Sequence, residues 1–455
     1  MSQWTQYHSN GPNQGFIPVQ TTVAVQPKWQ VQVGHVGYGS PVIGADGTII
    51  IGTLGGELVA VNPDGTIKWR RTLIAREHPD YPGAIIGSPA VGSDGNIYVI
   101  TTTNLIIRDH RNGGTQTKRV RRSSLHSVDP AGNIRWSFRF PANTSPSGTG
   151  AYTNSSPKVW GSPNVNIFVP AIYASGGFAI ELLVINQSGE QVYKTDIASY
   201  PPEPVVGEGP SFGDIWDFIS SPIDFDTSGV GISLEQQFGW PEPSVAIVDY
   251  SPHASRPLVI MEDSYKTLAA FRWESPILVP LWTNRSEKGR LCTTPAVFPS
   301  GVLAIGEKNG TMGFYDVNSG SELWKPWYKA DKPIMSPPAS FGRQVYFTVD
   351  KKLIVLDSNS ELWKTAALGA KCLSTPALSA NFVYVSATDG LYTFSFDLQS
   401  MSKNSNMIGG VSSPAIGDDG TVYVVDLQQT LWAFGGLSNV RSAPIRKHRD
   451  HNTSK

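Results

Sequence analysis

The residues able to do chemistry are few and scattered. The chain has eight histidines in 455 residues. Only His448 and His451 lie close together; His8, His35, His78, His110, His126 and His253 are isolated. The two cysteines, Cys292 and Cys372, are far apart, which leaves neither a disulfide framework nor a thiolate metal site. They read as small buried residues. No G-x-S-x-G, phosphate-binding loop, H-E-x-x-H or C-x-x-C-H occurs. No catalytic residue, metal ligand or cofactor contact is therefore assigned.

Two other stretches stand out. "RDHRNGGTQTKRVRR" (108–122) sets Arg108, Arg111, Lys118, Arg119, Arg121 and Arg122 against one Asp, and reads as the end of a long hairpin turning at Asn112-Gly113-Gly114. "SYPPEPVVGEGPSFGDIWDFIS" (199–220) mixes Glu208, Asp214 and Asp217 with Tyr200, Phe212, Trp216 and Phe218. Long connections in compact domains are commonly functional. The candidate partner contacts are the six basic residues together with Phe212, Asp214, Trp216 and Asp217. No aromatic lies within 108–122, so base stacking is not suggested and no nucleic-acid partner is expected.

The elements that must carry these stretches are short strands. The chain holds 45 Gly and 34 Pro with only 16% charged residues, a turn-rich and sparsely charged composition. The formal net charge is -1, so no global field draws it to nucleic acid or membrane. No window of 18 apolar residues is present, so no membrane span is expected. Residues 1–16 lack a basic region followed by an apolar run, and a cytoplasmic, monomeric protein is the expectation. Residues 437–455 form a basic tail, expected to be disordered.

The strands come in repeats. "SPVIGADGTIIIG" begins at Ser40, "SPAVGSDGNIYVI" at Ser88, "TPAVFPSGVLAIG" at Thr294 and "SPAIGDDGTVYVV" at Ser413. Looser copies begin at Ser156, Ser221, Ser336 and Thr375, making eight. Pro lacks an N–H and suits the first residue of a strand. The small Ala90, Ala296, Ala339, Ala377 and Ala415 that follow suit a crowded central strand. Asp-Gly or Ser-Gly supplies a tight hairpin turn, and a β-branched and aromatic run makes the second strand. A third strand ends near Asn62, Asp129, Asn186, Asn318 or Asp357, and a fourth carries Trp69, Trp136, Trp324 or Trp363, with Tyr193 in the third copy. In the fourth copy the second strand has no clear position between 226 and 260.

Four strands per repeat and eight repeats predict an all-β, eight-bladed propeller of four-stranded antiparallel blades. The last copy stops at "LWAFGG" after three strands. "PKWQVQV" (27–33), with Trp29 twelve residues before Pro41, supplies the missing fourth strand and closes the ring. The domain reading is a lead segment at 1–26, a propeller at 27–436 and the tail. Trp29, Trp69, Trp136, Trp324 and Trp363 are expected to wedge between blades, each burying roughly 150–250 Å².

With these starts and Asp/Asn–turn–Trp endings, residues 22–436 resemble the pyrroloquinoline-quinone-type repeat propellers. That family holds cofactor-dependent dehydrogenases and scaffold members similar to the outer-membrane assembly lipoprotein of the BamB kind, which bind proteins and no cofactor. The dehydrogenases need oxygen ligands for a divalent metal at the ring centre and a carboxylate base. Many also stack the quinone on a disulfide of adjacent cysteines, which this chain lacks. The resemblance thus implies a non-catalytic scaffold whose loop-rich face engages a protein partner. The alternative it implies is a quinone-dependent dehydrogenase or sensor using Glu208, Asp214 and Asp217. A sugar- or polymer-binding propeller is the third reading, supported only by the aromatic content.

Overall fold

The computed structural model describes residues 4–24, 26–73, 84–109, 116–140, 153–174, 178–200, 244–249, 256–263, 267–286, 291, 293–323, 328–357, 362–399, 401–407, 409–410 and 412–435. These residues form eight four-stranded antiparallel sheets, the blades of one propeller. Each blade runs outward from the axis. In blade 1 the strands are Val42–Ile43, Ile49–Gly52, Glu57–Val61 and Ile67–Thr72. The inner three are buried, and the outermost is solvent-exposed except at the half-buried Trp69.

The ring closes across the chain ends. Pro27–Gln32 pairs antiparallel with Thr430–Gly435 and becomes the fourth strand of blade 8. No blade is then left with an unpaired third strand.

The repeat starts hold neighbouring blades together through their hydroxyls. Ser88 Oγ accepts from the Ser40 amide at 2.7 Å, and Ser156 Oγ from the Ser88 amide at 2.8 Å. Ser413 Oγ accepts from the Thr375 amide, and Ser40 Oγ from the Ser413 amide across the closure. At these starts the hydroxyl satisfies a buried N–H of the preceding blade, whereas Ser244 Oγ and Ser336 Oγ donate to carbonyls of neighbouring blades, Ser156 O and Ser374 O.

This pattern corrects the fourth start. The inner strand of blade 4 is Ala246–Val248, and Thr294 Oγ1 accepts from the Ser244 amide at 3.0 Å. The start is Ser244, with Val245 where the other copies have Pro. Ser221 lies outside the described residues. The second strand, sought between 226 and 260, is Leu258–Glu262.

Aromatic residues of several outer strands reach the next blade. Trp29 Nε1 donates to Pro63 O, Trp69 Nε1 to Pro130 O and Trp136 Nε1 to Gln187 O, all at 2.8–3.0 Å. In blade 4 it is Trp282 that donates to Val317 O. Each indole lies over the glycine closing the turn it bonds. At Gly132 (φ 87°) a Cβ would meet Trp69 Cδ2 at 2.8 Å, so left-handed backbone and close ring approach both call for glycine. Trp324 lies outside the described residues, and Trp363 is placed only by its backbone in Leu362–Ala367.

Candidate functional site

A propeller has two faces. The turns between first and second strands and between third and fourth strands share one, the turn face. The connections between second and third strands and between blades share the other, the loop face. The axis between them is the usual place for a ligand.

Among the described residues, the turn-face end of the axis is occupied by the chain itself. Residues 4–22 enter from the turn face and make a circuit of the inner strands. The amides of Ile43 and Val91 donate to Trp4 O and Thr5 O. In blade 3 the Gln6 side chain does this work, accepting from Val159 N and donating to Val159 O. The amides of Ile247, Val297, Ser340 and Leu378 then donate to Gly11 O, Pro12 O, Gln14 O and Gly15 O. Seven blades thus give an inner-strand amide to this segment. At Gly11 a Cβ would lie 2.6 Å from Ile247 O, so no larger residue fits against that strand.

Between Gln6 and Gly11 the segment turns through His8 and Ser9, both with left-handed backbone (φ 59° and 70°). Lys158 holds this turn. Its Nζ donates to Tyr7 O at 2.5 Å and Asn10 O at 2.9 Å. The same strand position carries Val42, Ala90, Ala246, Ala296, Ala339, Ala377 and Ala415 in the other blades. Lys158 is fully enclosed, and burial pushes its amine well below the ordinary lysine range. Burial and the neighbouring Lys158 charge likewise drive the His8 imidazole well below 6.5. His8 Nε2 meets Thr375 Oγ1 at 3.0 Å, and burial raises the Tyr7 phenol to about 12. On the far side Asn13 (φ 61°) donates from Nδ2 to Val245 O and Pro295 O, tying blades 4 and 5.

Among the described residues a cavity at the hub, bounded by Trp4, His8, Ser40 and Ser413 among others, is about 10 Å³. That is about one water. The residues lining this cavity do not fit a tricyclic quinone with its metal: it is too small, and its side chains are indole, imidazole, hydroxyls and prolines. Among the described residues no group of three His, Cys, Asp or Glu could hold a metal ion. Cys372 is buried at 2% exposure, with Sγ against Ser386 O and Ser374, and burial raises its thiol pKa. Cys292 lies outside the described residues.

The loop face is uneven. Blade 2 extends its middle strands to Ile97–Asp109 and Gln116–Val128, paired in register to Asp109↔Gln116. Blade 3 follows with Asn166–Ala174, Phe178–Asn186 and Gln191–Tyr200. Elsewhere most middle strands have five or six residues. Arg108, Lys118, Arg119, Arg121 and Arg122 take backbone places in the blade 2 hairpin, with Ile106↔Arg119 and Ile107↔Lys118 as cross-strand pairs. Arg111, Glu208, Phe212, Asp214, Trp216 and Asp217 lie outside the described residues. Sequence reasoning missed Lys158, Asn13 and Trp282. The signal for Lys158 was present, as a long cation in "SSPKVW" where the other starts carry a small residue.

A family model described as outer membrane protein assembly factor BamB matches residues 24–137 and 308–400. These two stretches carry PQQ-like repeats, and the fold is an eight-bladed β-propeller. Among solved structures, this propeller is similar to BamB from Moraxella catarrhalis, with 13% identity, 90% of this chain and 99% of that chain covered and a TM-score of 0.56. It is also similar to quinohemoprotein alcohol dehydrogenase from Comamonas testosteroni, with 13% identity, coverage of 97% and 82% and a TM-score of 0.61. The computationally designed Ika8 protein has 10% identity, coverage of 91% and 99% and a TM-score of 0.53. At these identities the likeness speaks for the fold. No curated protein matches the sequence significantly. Among the described residues no helix is long and apolar enough to cross a membrane.

Proposed function

We propose that this propeller is a non-catalytic interaction scaffold that binds a protein partner through its loop face. The observation that carries this reading is the occupied axis. Residues 4–22 engage the inner-strand amides of seven blades, and the cavity they border with Ser40 and Ser413 is only about 10 Å³, which speaks against a central ligand there. Function then moves outward, to the face where blades 2 and 3 extend their strands. The basic residues of the blade 2 hairpin suit an acidic partner surface, where charge steers encounter and sets register.

The test shortens the hairpin without disturbing its blade. Thr103 and Arg122 are cross-strand partners, so residues 104–121 can be replaced by Asn-Gly, a two-residue turn that keeps the register. Cross-linked partners recovered with the intact chain are expected to be lost with the shortened one. Unchanged recovery would remove the hairpin from the contact. The competing reading is a quinone-dependent dehydrogenase, which shares this fold. It would need the carboxylates of Glu208, Asp214 and Asp217 to converge on the ring, and quinone-dependent dye reduction by the purified chain would establish it.

A further inference from the structure

The N-terminal segment covers the turn face unequally. Over blades 6 to 8 it lies as an extended chain. Phe16 packs on Phe341 at 4.6 Å between ring centroids, and Ile17 is fully buried. The Ile17 amide donates to Leu378 O, the Ala380 amide to Val19 O, and Tyr384 Oη donates to Thr21 Oγ1 at 2.6 Å. Over the inner strands of blades 1 to 3 the described part of the segment lays down Trp4, Thr5 and Gln6, one residue per blade. Beside them the turn face opens into a cleft of about 530 Å³. That volume is within the range of built ligand sites, roughly 300–1,000 Å³.

The geometry points to this cleft as a second binding site, for an extended peptide of a partner protein inserting an uncharged aromatic or branched apolar side chain. Three observations converge on that occupant. The first is continuity: Thr5 and Gln6 form one wall, so the cleft prolongs the interface along which the chain already seats its own extended segment. The second is the lining. Trp69 and Trp160 stand as half-buried indoles and give the cleft its apolar surface, with the buried Ile50, Ile97 and Val165 packed behind them.

The third is that most of the polar side chains are already engaged. Trp69 Nε1 donates to Pro130 O, and Trp160 Nε1 donates to Asp249 at 3.4 Å. The Gln6 amide is taken up by Val159, and Ser93 Oγ donates to Gly161 O. Lys68 Nζ is shared between Asp46 at 2.9 Å and Thr48 at 3.0 Å. Burial works to raise the Asp46 carboxyl, but the bonds from Lys68 and Thr48 outweigh it and hold the pKa at about 2. The ion pair therefore neutralises itself, and a charged anchor gains nothing. A sugar, which needs many free donors and acceptors, is matched worse than an apolar side chain, whose burial is favourable at about 25 cal/mol per Å². The site lies on the face opposite the extended hairpins and stands without the function assigned to them.

The test is calorimetric titration of the full chain with Ser-Gly-Phe-Ile-Pro-Val-Gly-Ser, whose core copies Phe16–Val19. Controls are the same peptide with Phe and Ile replaced by Ser, and cellobiose. Saturable binding of the apolar peptide alone is expected. Ala45 is exposed on the cleft rim, so Ala45→Trp fills the cleft from outside without entering the core. It should weaken binding by about tenfold or more, as should Trp160→Ala, while the thermal midpoint of Ala45→Trp stays at that of the parent. No binding at millimolar peptide, equal affinity in both variants, or binding of cellobiose alone would overturn the assignment. Competition by a peptide of residues 437–455 would overturn the partner as occupant and put the chain's own tail there.

Discussion

Replacing Asn13 tests whether the N-terminal segment is an integral part of the ring. Asn13 is fully buried, and its Nδ2 donates to Val245 O at 3.1 Å and Pro295 O at 2.9 Å. Truncation to Ala leaves two buried carbonyls short of a donor, at about 1–3 kcal/mol each. Alanine also tolerates the left-handed φ of 61° less well than Asn, by about 1 kcal/mol. Asn13→Ala should therefore lose about 4 kcal/mol, and Asn13→Gly, which keeps the backbone at ease, about 1 kcal/mol less. The assay is urea unfolding paired with amide hydrogen exchange. Exchange should rise at Ile247 and Val297, whose amides donate to Gly11 O and Pro12 O on either side of the lost contact. A change within about 0.5 kcal/mol, with exchange at those two amides unaltered, would refute the reasoning.

Other consequences are as direct. Gly132→Ala should cost about 2–3 kcal/mol in chemical denaturation, because it combines a left-handed alanine with a clash against the Trp69 ring. His126 is buried between Thr101 and Ser137, and burial lowers its pKa from 6.5 to about 4. Below pH 6.5 the unfolded chain takes up a proton that the folded chain refuses. Stability should thus fall by about 3 kcal/mol between pH 6.5 and 4, with His8 adding in the same direction, and His126→Gln should flatten the profile measured by unfolding at stepped pH. In a Cys292→Ser background, Cys372 should resist thiol reagents until urea unfolds the blade, since it is buried and its thiol pKa is raised; rapid labelling of the native protein would contradict this.

The ring was legible because its signals are local. A Pro that suits a strand start, an Asp-Gly turn and a Trp four residues beyond a second turn each act within one blade, and the closing strand follows from counting. The fourth start was misplaced because Ser244 is followed by Val245, so the Ser hydroxyl that matters carried no Pro to announce it. Trp282 escaped for a similar reason: its strand follows a Glu274-Ser275-Pro276 turn rather than an Asp-Gly turn. The hub was illegible because it is assembled from residues hundreds of positions apart. Asn13 meets Val245 and Pro295, and Lys158 meets Tyr7 and Asn10. No periodicity marks residues 4–22, since their partners are backbone amides that every blade presents whatever its sequence.

The central claim is that the chain's own N-terminal segment occupies the axis in place of a ligand. Equilibrium dialysis of the folded protein against pyrroloquinoline quinone with Ca²⁺, read by quinone absorbance, tests it most directly. Equal free quinone on both sides and no dye reduction on adding an alcohol are expected. Quinone retained with the protein, with alcohol-dependent turnover, would contradict it.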